Sequence, residues 1–319
     1  MPLSEFDLID RFFKNALRDG PEVRCGIGDD AAIVSAPPGM DLALTMDTLV
    51  AGIHFPASTL PEDIGYKALA VNLSDMAAMG AEPRWITMSL TLPHDPASWL
   101  EGYMAGFSVL AEQFALSLIG GDLTHGPLSI TIQLHGLLPA GTAIYRHGAR
   151  PGDRIYVSGT LGDAGLALGV LDKRWSIAGN YEAEIFQRLN RPVPRIELGM
   201  ALRGLATSAI DISDGLQADL GHILTASNAG AALNLDQLPL SEAVRQLPAD
   251  LACEIALTSG DDYELCFTLP AAIKDMEVKR LSAITPVHCL GEVTRETGIH
   301  WRRSDGSVFT PAGTGFRHF

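Results

Sequence analysis

Aspartates recur in four short settings along this chain: Gly26-Ile27-Gly28-Asp29-Asp30, Thr45-Met46-Asp47, Gly120-Gly121-Asp122 and Asp211-Ile212-Ser213-Asp214-Gly215. Each closes or follows an apolar segment, and open α/β sheets bind ligands beyond the carboxyl ends of their strands. Carboxylates placed there would face a ligand site. Taken singly, each is also explained as a turn or helix-cap residue.

Asp75 is harder to explain that way. It falls in Ala68-Leu69-Ala70-Val71-Asn72-Leu73-Ser74-Asp75-Met76-Ala77-Ala78-Met79, a helical stretch apolar on nearly every side and so expected to be buried. Asn72 and Asp75 are spaced i, i+3 and share a face. An unpaired buried carboxylate costs several kcal/mol, and a cation is the simplest partner; a hydrogen-bonded core aspartate is the other reading. Two unit charges about 4 Å apart at an effective dielectric near 20 repel by roughly 4 kcal/mol. A converging carboxylate cluster therefore calls for divalent ions, and all-oxygen donors select magnesium or calcium over zinc. Magnesium commonly arrives with phosphates, so the chemistry pointed to is phosphoryl transfer. The familiar phosphate motifs are missing: the sequence has no GxxxxGK[ST] loop, no HRD or DFG set and no GxGxxG. Gly159, Gly162 and Gly165 offer either an amide nest at a helix start or plain tight turns.

The elements that must position these groups alternate between strand and helix. Asp41–Thr48 reads as a strand ending in a carboxylate. A helix starts near Thr59-Leu60-Pro61-Glu62, with capping-box spacing and an early proline, and stops at Gly80. A strand over 83–92, a helix over 97–115 and strands over 115–119 and 128–138 complete a first α/β domain. The turn-rich Gly148–Asp153 marks a joint, giving expected domains of 1–146 and 147–319. The second begins with a strand over Arg154–Val157 and a glycine-spaced turn and helix over Ser158–Val170. A strand then leads into Asp211, a helix covers Leu216–Ala226, and short strands with loops are expected from about Glu254 onward.

With 319 residues and 47% hydrophobic content, the chain is long enough for two cores of ordinary size. A formal net charge of -15 argues against a nucleic-acid partner. The longest apolar runs fall short of the roughly 18 residues of a membrane span. The start, MPLSEFDLIDRFFK, lacks a basic region followed by an apolar one and does not read as a secretion signal. Cys25, Cys253, Cys266 and Cys289 form no CxxC pair, which suits a reduced, cytoplasmic setting.

Six blocks occur in one order: GIGDDAA (26–32), DTLVAGIHF (47–55), YKALAVNLSDMAAMG (66–80), GGD (120–122), DISDG (211–215) and GDDYEL (260–265). This ordered set resembles the thiamine-monophosphate kinase family, part of the PurM-like ATP-binding superfamily, from about Glu5 to Gly315-Phe316-Arg317-His318-Phe319. The resemblance implies a mixed α/β fold in two domains, with a homodimer built on the N-terminal sheets. It implies ATP-dependent conversion of thiamine monophosphate to thiamine diphosphate with several magnesium ions. It also implies roles for particular residues. Asp30, Thr45, Met46, Asp47, Asp75, Asp122, Asp211 and Asp214 would hold metal. Gly121, Asp122, Arg146 and Ser213 would contact ATP, and His54, Asp261 and Phe316 the substrate.

Three positions depart from the family pattern. Met46 stands where a small polar residue is common, so only its backbone oxygen would serve a metal. Asp261 stands for the commoner Glu, one methylene shorter. Cys25 replaces an aliphatic residue. The acceptor is itself a phosphate with a second pKa near 6, already nucleophilic at pH 7, so direct in-line transfer needs no strong base and no phosphoenzyme. Alternatives are another PurM-like enzyme, such as aminoimidazole ribonucleotide synthetase or selenophosphate synthetase, and a non-catalytic sensor of thiamine phosphates or nucleotides.

Overall fold

A computed structural model describes residues 4–93 and 97–316. The backbone divides into two compact units: the described residues of 1–76 with 81–141, and those of 77–80 with 142–319. Arg317, His318 and Phe319, which close the expected resemblance, lie outside the described residues, as do Met1–Leu3.

In the first unit, α1 (Glu5–Phe12) is opened by Ser4, whose hydroxyl and amide exchange hydrogen bonds with Asp7 in a capping box. Strands β1 (Val23–Cys25) and β2 (Ile33–Val34) form a short ribbon bearing the Gly26–Asp30 turn. Then follow β3 (Met40–Val50), α2 (Pro61–Met79), β4 (Glu82–Leu92), α3 (Ala97–Gln113), β5 (Ser117–His125) and β6 (Ser129–Pro139). The sheet order is β3-β6-β4-β5, with only β4 and β5 parallel. The expected burial of α2 is observed: Ala68, Leu69, Ala70, Leu73 and Ser74 are fully enclosed. Asp75 is half-buried rather than buried, so part of the desolvation cost inferred from the pattern is not incurred.

The second unit contains β7 (Arg154–Ser158), α4 (Asp163–Leu171), α5 (Gly179–Asn190), α6 (Ile196–Leu202), β8 (Ser208–Asp211), α7 (Leu216–Ser227) and β9 (Gly230–Asn234). It continues with α8 (Ala249–Thr258), β10 (Leu265–Leu269), α9 (Asp275–Ile284), β11 (Val287–Thr294), β12 (Gly298–Arg302) and β13 (Val308–Phe309). Its sheet runs β13-β12-β9-β11-β7-β10-β8. One apolar core joins Ile155, Val157, Leu220, Ile223, Leu233, Cys266 and Trp301 across the sheet and α7; a second gathers Leu166, Ile185, Leu189 and Val244.

Two expectations need correction. The stretch after Glu254 includes the end of α8 and all of α9, not strands and loops alone; α9 buries only Leu281 fully, so its sequence shows little apolar periodicity. The carboxylates also do not all close strands. Asp47 and Asp122 lie inside β3 and β5, Asp30 lies between β1 and β2, and only Asp211 ends its strand. The rule of ligands beyond strand ends belongs to parallel sheets, and here most pairings are antiparallel.

Candidate functional site

Register decides which side chains of the first sheet meet. Cross-strand partners share a face. Thr45 and Asp47 lie opposite Leu134 and Ile132, on the buried face, whereas Met46 lies opposite Gln133 and is 63% exposed. Thr45 donates its hydroxyl to the Asp75 carboxylate in a very short hydrogen bond. Burial, and then the Asp75 charge, push the Asp47 carboxyl up to about 7. Thr45, Asp47 and Asp75 are thus one group, and Met46 turns its side chain away from it. On the same helix, Asn72 is buried and donates to Ala68 O at 3.1 Å, but its Oδ1 accepts no hydrogen bond.

A second group sits at the other edge of the sheet. A cavity of about 740 Å³ is lined by Gly28, Asp29, Asp30, Gly120, Gly121 and Asp122, with Phe6, Ile9 and Lys14 near α1. That is an ordinary size for a small-molecule site. The β4–β5 ladder shifts register between Ile86 and Thr87, whose partners are Leu118 and Gly120. Such a bulge re-aims the residues that follow it. Gly121 is required by close approach, since a Cβ there would lie 1.9 Å from Met88 O. Lys14, paired to Asp10 at 3.1 Å, supplies a cation to the lining.

The two groups are separated within one chain. Asp47 pairs with Ile132, Ile132 with Met88 and Met88 with Gly121, so Asp47 and Gly121 stand at the same level on opposite edge strands. At about 4.8 Å per strand, three steps make roughly 14 Å. His54, half-buried beyond β3, accepts the Val50 N–H on Nδ1 at 3.0 Å.

In the second unit, backbone hydrogen bonds join three segments. Asp261 N donates to Ser213 O at 2.9 Å, Tyr263 N to Ile212 O at 2.8 Å and Phe316 N to Asp214 O at 3.0 Å. Ser213, Asp214, Asp261 and Phe316 therefore gather at one place, beside the buried Asp211. Gly260 permits the junction: a Cβ there would lie 2.2 Å from Ser213 O. Arg146 is exposed between Tyr145 and His147, whose rings stack at 5.0 Å.

Several supporting residues were not singled out by the sequence. Asp219 Oδ2 accepts the N–H groups of Ser213 and Asp214 at 3.0 Å and of Gly215 at 3.2 Å, pinning the loop. Burial pushes the Asp219 carboxyl up to about 7 against those bonds, which favour its anion. Buried Glu264 accepts from Ser158 at 2.5 Å, Arg188 at 2.9 Å and Arg195 Nε at 2.7 Å. Gly162 N is spent on Asp262 and Gly159 N on Pro286 O, both at 2.9 Å, while Gly165 lies inside α4. Those two amides are thus engaged within the protein, which removes the phosphate-nest reading in favour of tight turns.

Among the described residues, no three His, Cys, Asp or Glu side chains are grouped closely enough to hold a metal by themselves. A partial donor set still fits magnesium, which often takes one or two carboxylates and completes its shell with water and substrate phosphates. Asp47 and Asp75 are two oxygen donors whose charges oppose each other, and a cation relieves that opposition.

Two family models match the chain: "AIR synthase related protein, N-terminal domain" over residues 28–138, and its C-terminal counterpart over 150–300. The thiamine-monophosphate kinase of Escherichia coli K12 is 46% identical across 100% of this chain and 99% of its own length. That of Haemophilus influenzae is 43% identical, with the same coverage. Among solved structures, the thiamine-monophosphate kinase of Stenotrophomonas maltophilia K279a has a TM-score of 0.87 at 43% identity, covering 97% of this chain and 99% of that one. AaThiL complexed with AMPPCP and TMP has a TM-score of 0.77 at 33% identity, covering 99% and 97%.

Proposed function

The chain belongs to the thiamine-monophosphate kinase family, and from that premise we propose that it transfers the γ-phosphoryl group of ATP to thiamine monophosphate, forming thiamine diphosphate and ADP. The observation that carries this reading is the full-length likeness to AaThiL, solved with AMPPCP and TMP. In the step itself, an oxygen of the acceptor phosphate bonds to Pγ while the bond from Pγ to the β,γ-bridging oxygen breaks. ADP leaves with that electron pair. The acceptor is already anionic near neutral pH, so no side chain need remove its proton.

The protein's part is to bind and orient two mutually repelling anions. Magnesium, when bound, would offset their negative charge and that building on the transferred group. Asp30, Thr45, Asp47, Asp75, Asp122, Asp211 and Asp214, with the Met46 backbone oxygen, are the proposed ligands. We assign the nucleotide to the cavity of about 740 Å³ that holds Gly121 and Asp122; Ser213 and Arg146 are proposed as ATP contacts on the family likeness. His54, Asp261 and Phe316 are assigned to thiamine monophosphate.

A homodimer is part of this reading, for two reasons. On the outward face of edge strand β3, Leu42, Leu44 and Met46 are 47%, 56% and 63% exposed, an apolar stripe that a second copy would cover. The roughly 14 Å between Asp47 and the Gly121-Asp122 edge is also too far for a shared ion, whereas β5 of a second copy laid against β3 would bring them together. Among the described residues no helix is long and apolar enough to cross a membrane. We place the enzyme in the cytoplasm, where ATP is available and its four free cysteines stay reduced.

The test is chromatographic. Purified protein incubated with ATP, thiamine monophosphate and magnesium should yield thiamine diphosphate and ADP in equal amounts, and chelation of the metal should stop both. ADP release that is independent of thiamine monophosphate would contradict the assignment.

A further inference from the structure

Along 261–264 the loop alternates half-buried and buried side chains. Asp262 is buried, and both of its carboxylate oxygens accept the Gly162 N–H, at 3.1 and 2.9 Å. Glu264 is buried in a cage made by Ser158, Arg188 and Arg195. Asp261 and Tyr263, the residues between and before these anchors, are half-buried and have φ values of 69° and 49°. Left-handed backbone is uncommon for residues other than glycine and unusual for a bulky tyrosine. It persists where the surroundings over-determine it, and it concentrates at functional sites. Here the surroundings are identified: two buried anchors and the bonds from Asp261 N and Tyr263 N to the Ile212–Ser213 backbone. Their consequence is that the Tyr263 hydroxyl donates to Asp261 Oδ1 at 3.1 Å.

We propose that Tyr263 is a positioning residue for substrate recognition, its hydroxyl fixing the orientation of the Asp261 carboxylate toward the thiamine moiety of the acceptor. This rests on the assignment of Asp261 to the substrate side. Asp261 has few bonds along which to reach a ligand, so its aim matters more than it would for a longer acid. A carboxylate that can rotate loses part of its contact to a cationic or N–H-bearing ligand. The phenol donates to one of the two carboxylate oxygens.

The experiment is steady-state kinetics on the full-length protein with Tyr263→Phe, Asp261→Asn and the double variant, each with a melting temperature. Tyr263→Phe should raise KM for thiamine monophosphate about tenfold, the weight of one hydrogen bond to a charged group. KM for ATP and the melting temperature should stay at the wild-type values. The double variant should be no worse than Asp261→Asn alone, because the hydroxyl acts through that carboxylate. An unchanged KM for thiamine monophosphate overturns the proposal, as do additive effects, or equal rises in both KM values with a lowered melting temperature. If the wild-type protein itself forms no thiamine diphosphate, the assigned activity has failed. If it does and Tyr263→Phe matches it, only the role of Tyr263 has failed.

Discussion

Asp75→Asn is expected to lower kcat/KM about 1,000-fold, roughly 4 kcal/mol of lost transition-state stabilisation, while leaving the melting temperature at or above the wild-type value. The two halves of this expectation have one origin. Asp75 accepts the Thr45 hydroxyl, and its charge contributes to the raised pKa of Asp47. In the metal-free fold that charge is a liability, so converting it to an amide relieves repulsion while keeping the side chain's shape. On the proposed assignment the same charge would help to hold the cation against two phosphates, and an amide would not replace it. Steady-state kinetics with a thermal melt checks both halves. A slow variant that also melts early would mean that Asp75 serves the fold; one with near-normal turnover would remove it from the site.

The second large effect concerns the two edges of the first sheet. Asp47→Asn and Asp122→Asn should each nearly abolish activity when present in every subunit. Co-expressed in equal amounts, they should recover about a quarter of wild-type turnover. In the proposed homodimer, random pairing would make half the dimers mixed, and an isologous two-fold arrangement would leave each mixed dimer with one fully native site. The argument rests on strand order: β3 and β5 are the outer strands of β3-β6-β4-β5, and Asp47 faces Gly121 only across three strand spacings. No recovery on co-expression would mean that each chain builds its site alone.

Much of this was legible in the sequence because it is local. The apolar run from Ala68 to Met79 marks α2 as buried, and the ordered aspartate blocks mark the kinase family. The Thr45–Asp47 alternation also fits the observed strand, with Met46 on the exposed face. What was not legible depends on long-range pairing. Glu264 meets Arg188 and Arg195 across 76 and 69 residues, and nothing near Gly260-Asp261-Asp262-Tyr263-Glu264-Leu265 signals those partners. Asp219 looks like an ordinary first-turn acid of α7, and its hold on three loop amides shows only in the fold. The separation of Asp47 from Asp122 is likewise a property of strand order, which short motifs do not encode.

The most direct measurement is a calorimetric titration of magnesium into the protein with bound ATP analogue, repeated between pH 6 and 8. Asp47 has a folded-state pKa of about 7, raised from 3.8 by burial and by Asp75. Without a cation, the unfolded chain ionises this group first, so the shift costs stability as pH rises from 3.8 toward 7. If Asp47 is a ligand as proposed, its proton must leave before the carboxylate binds the cation. Affinity should therefore weaken by up to about tenfold per pH unit below 7 and level off above it, with proton release on binding at the acid end. Asp47→Asn should flatten that dependence. A magnesium affinity that is the same at pH 6 and pH 8 in the wild-type protein would contradict the account.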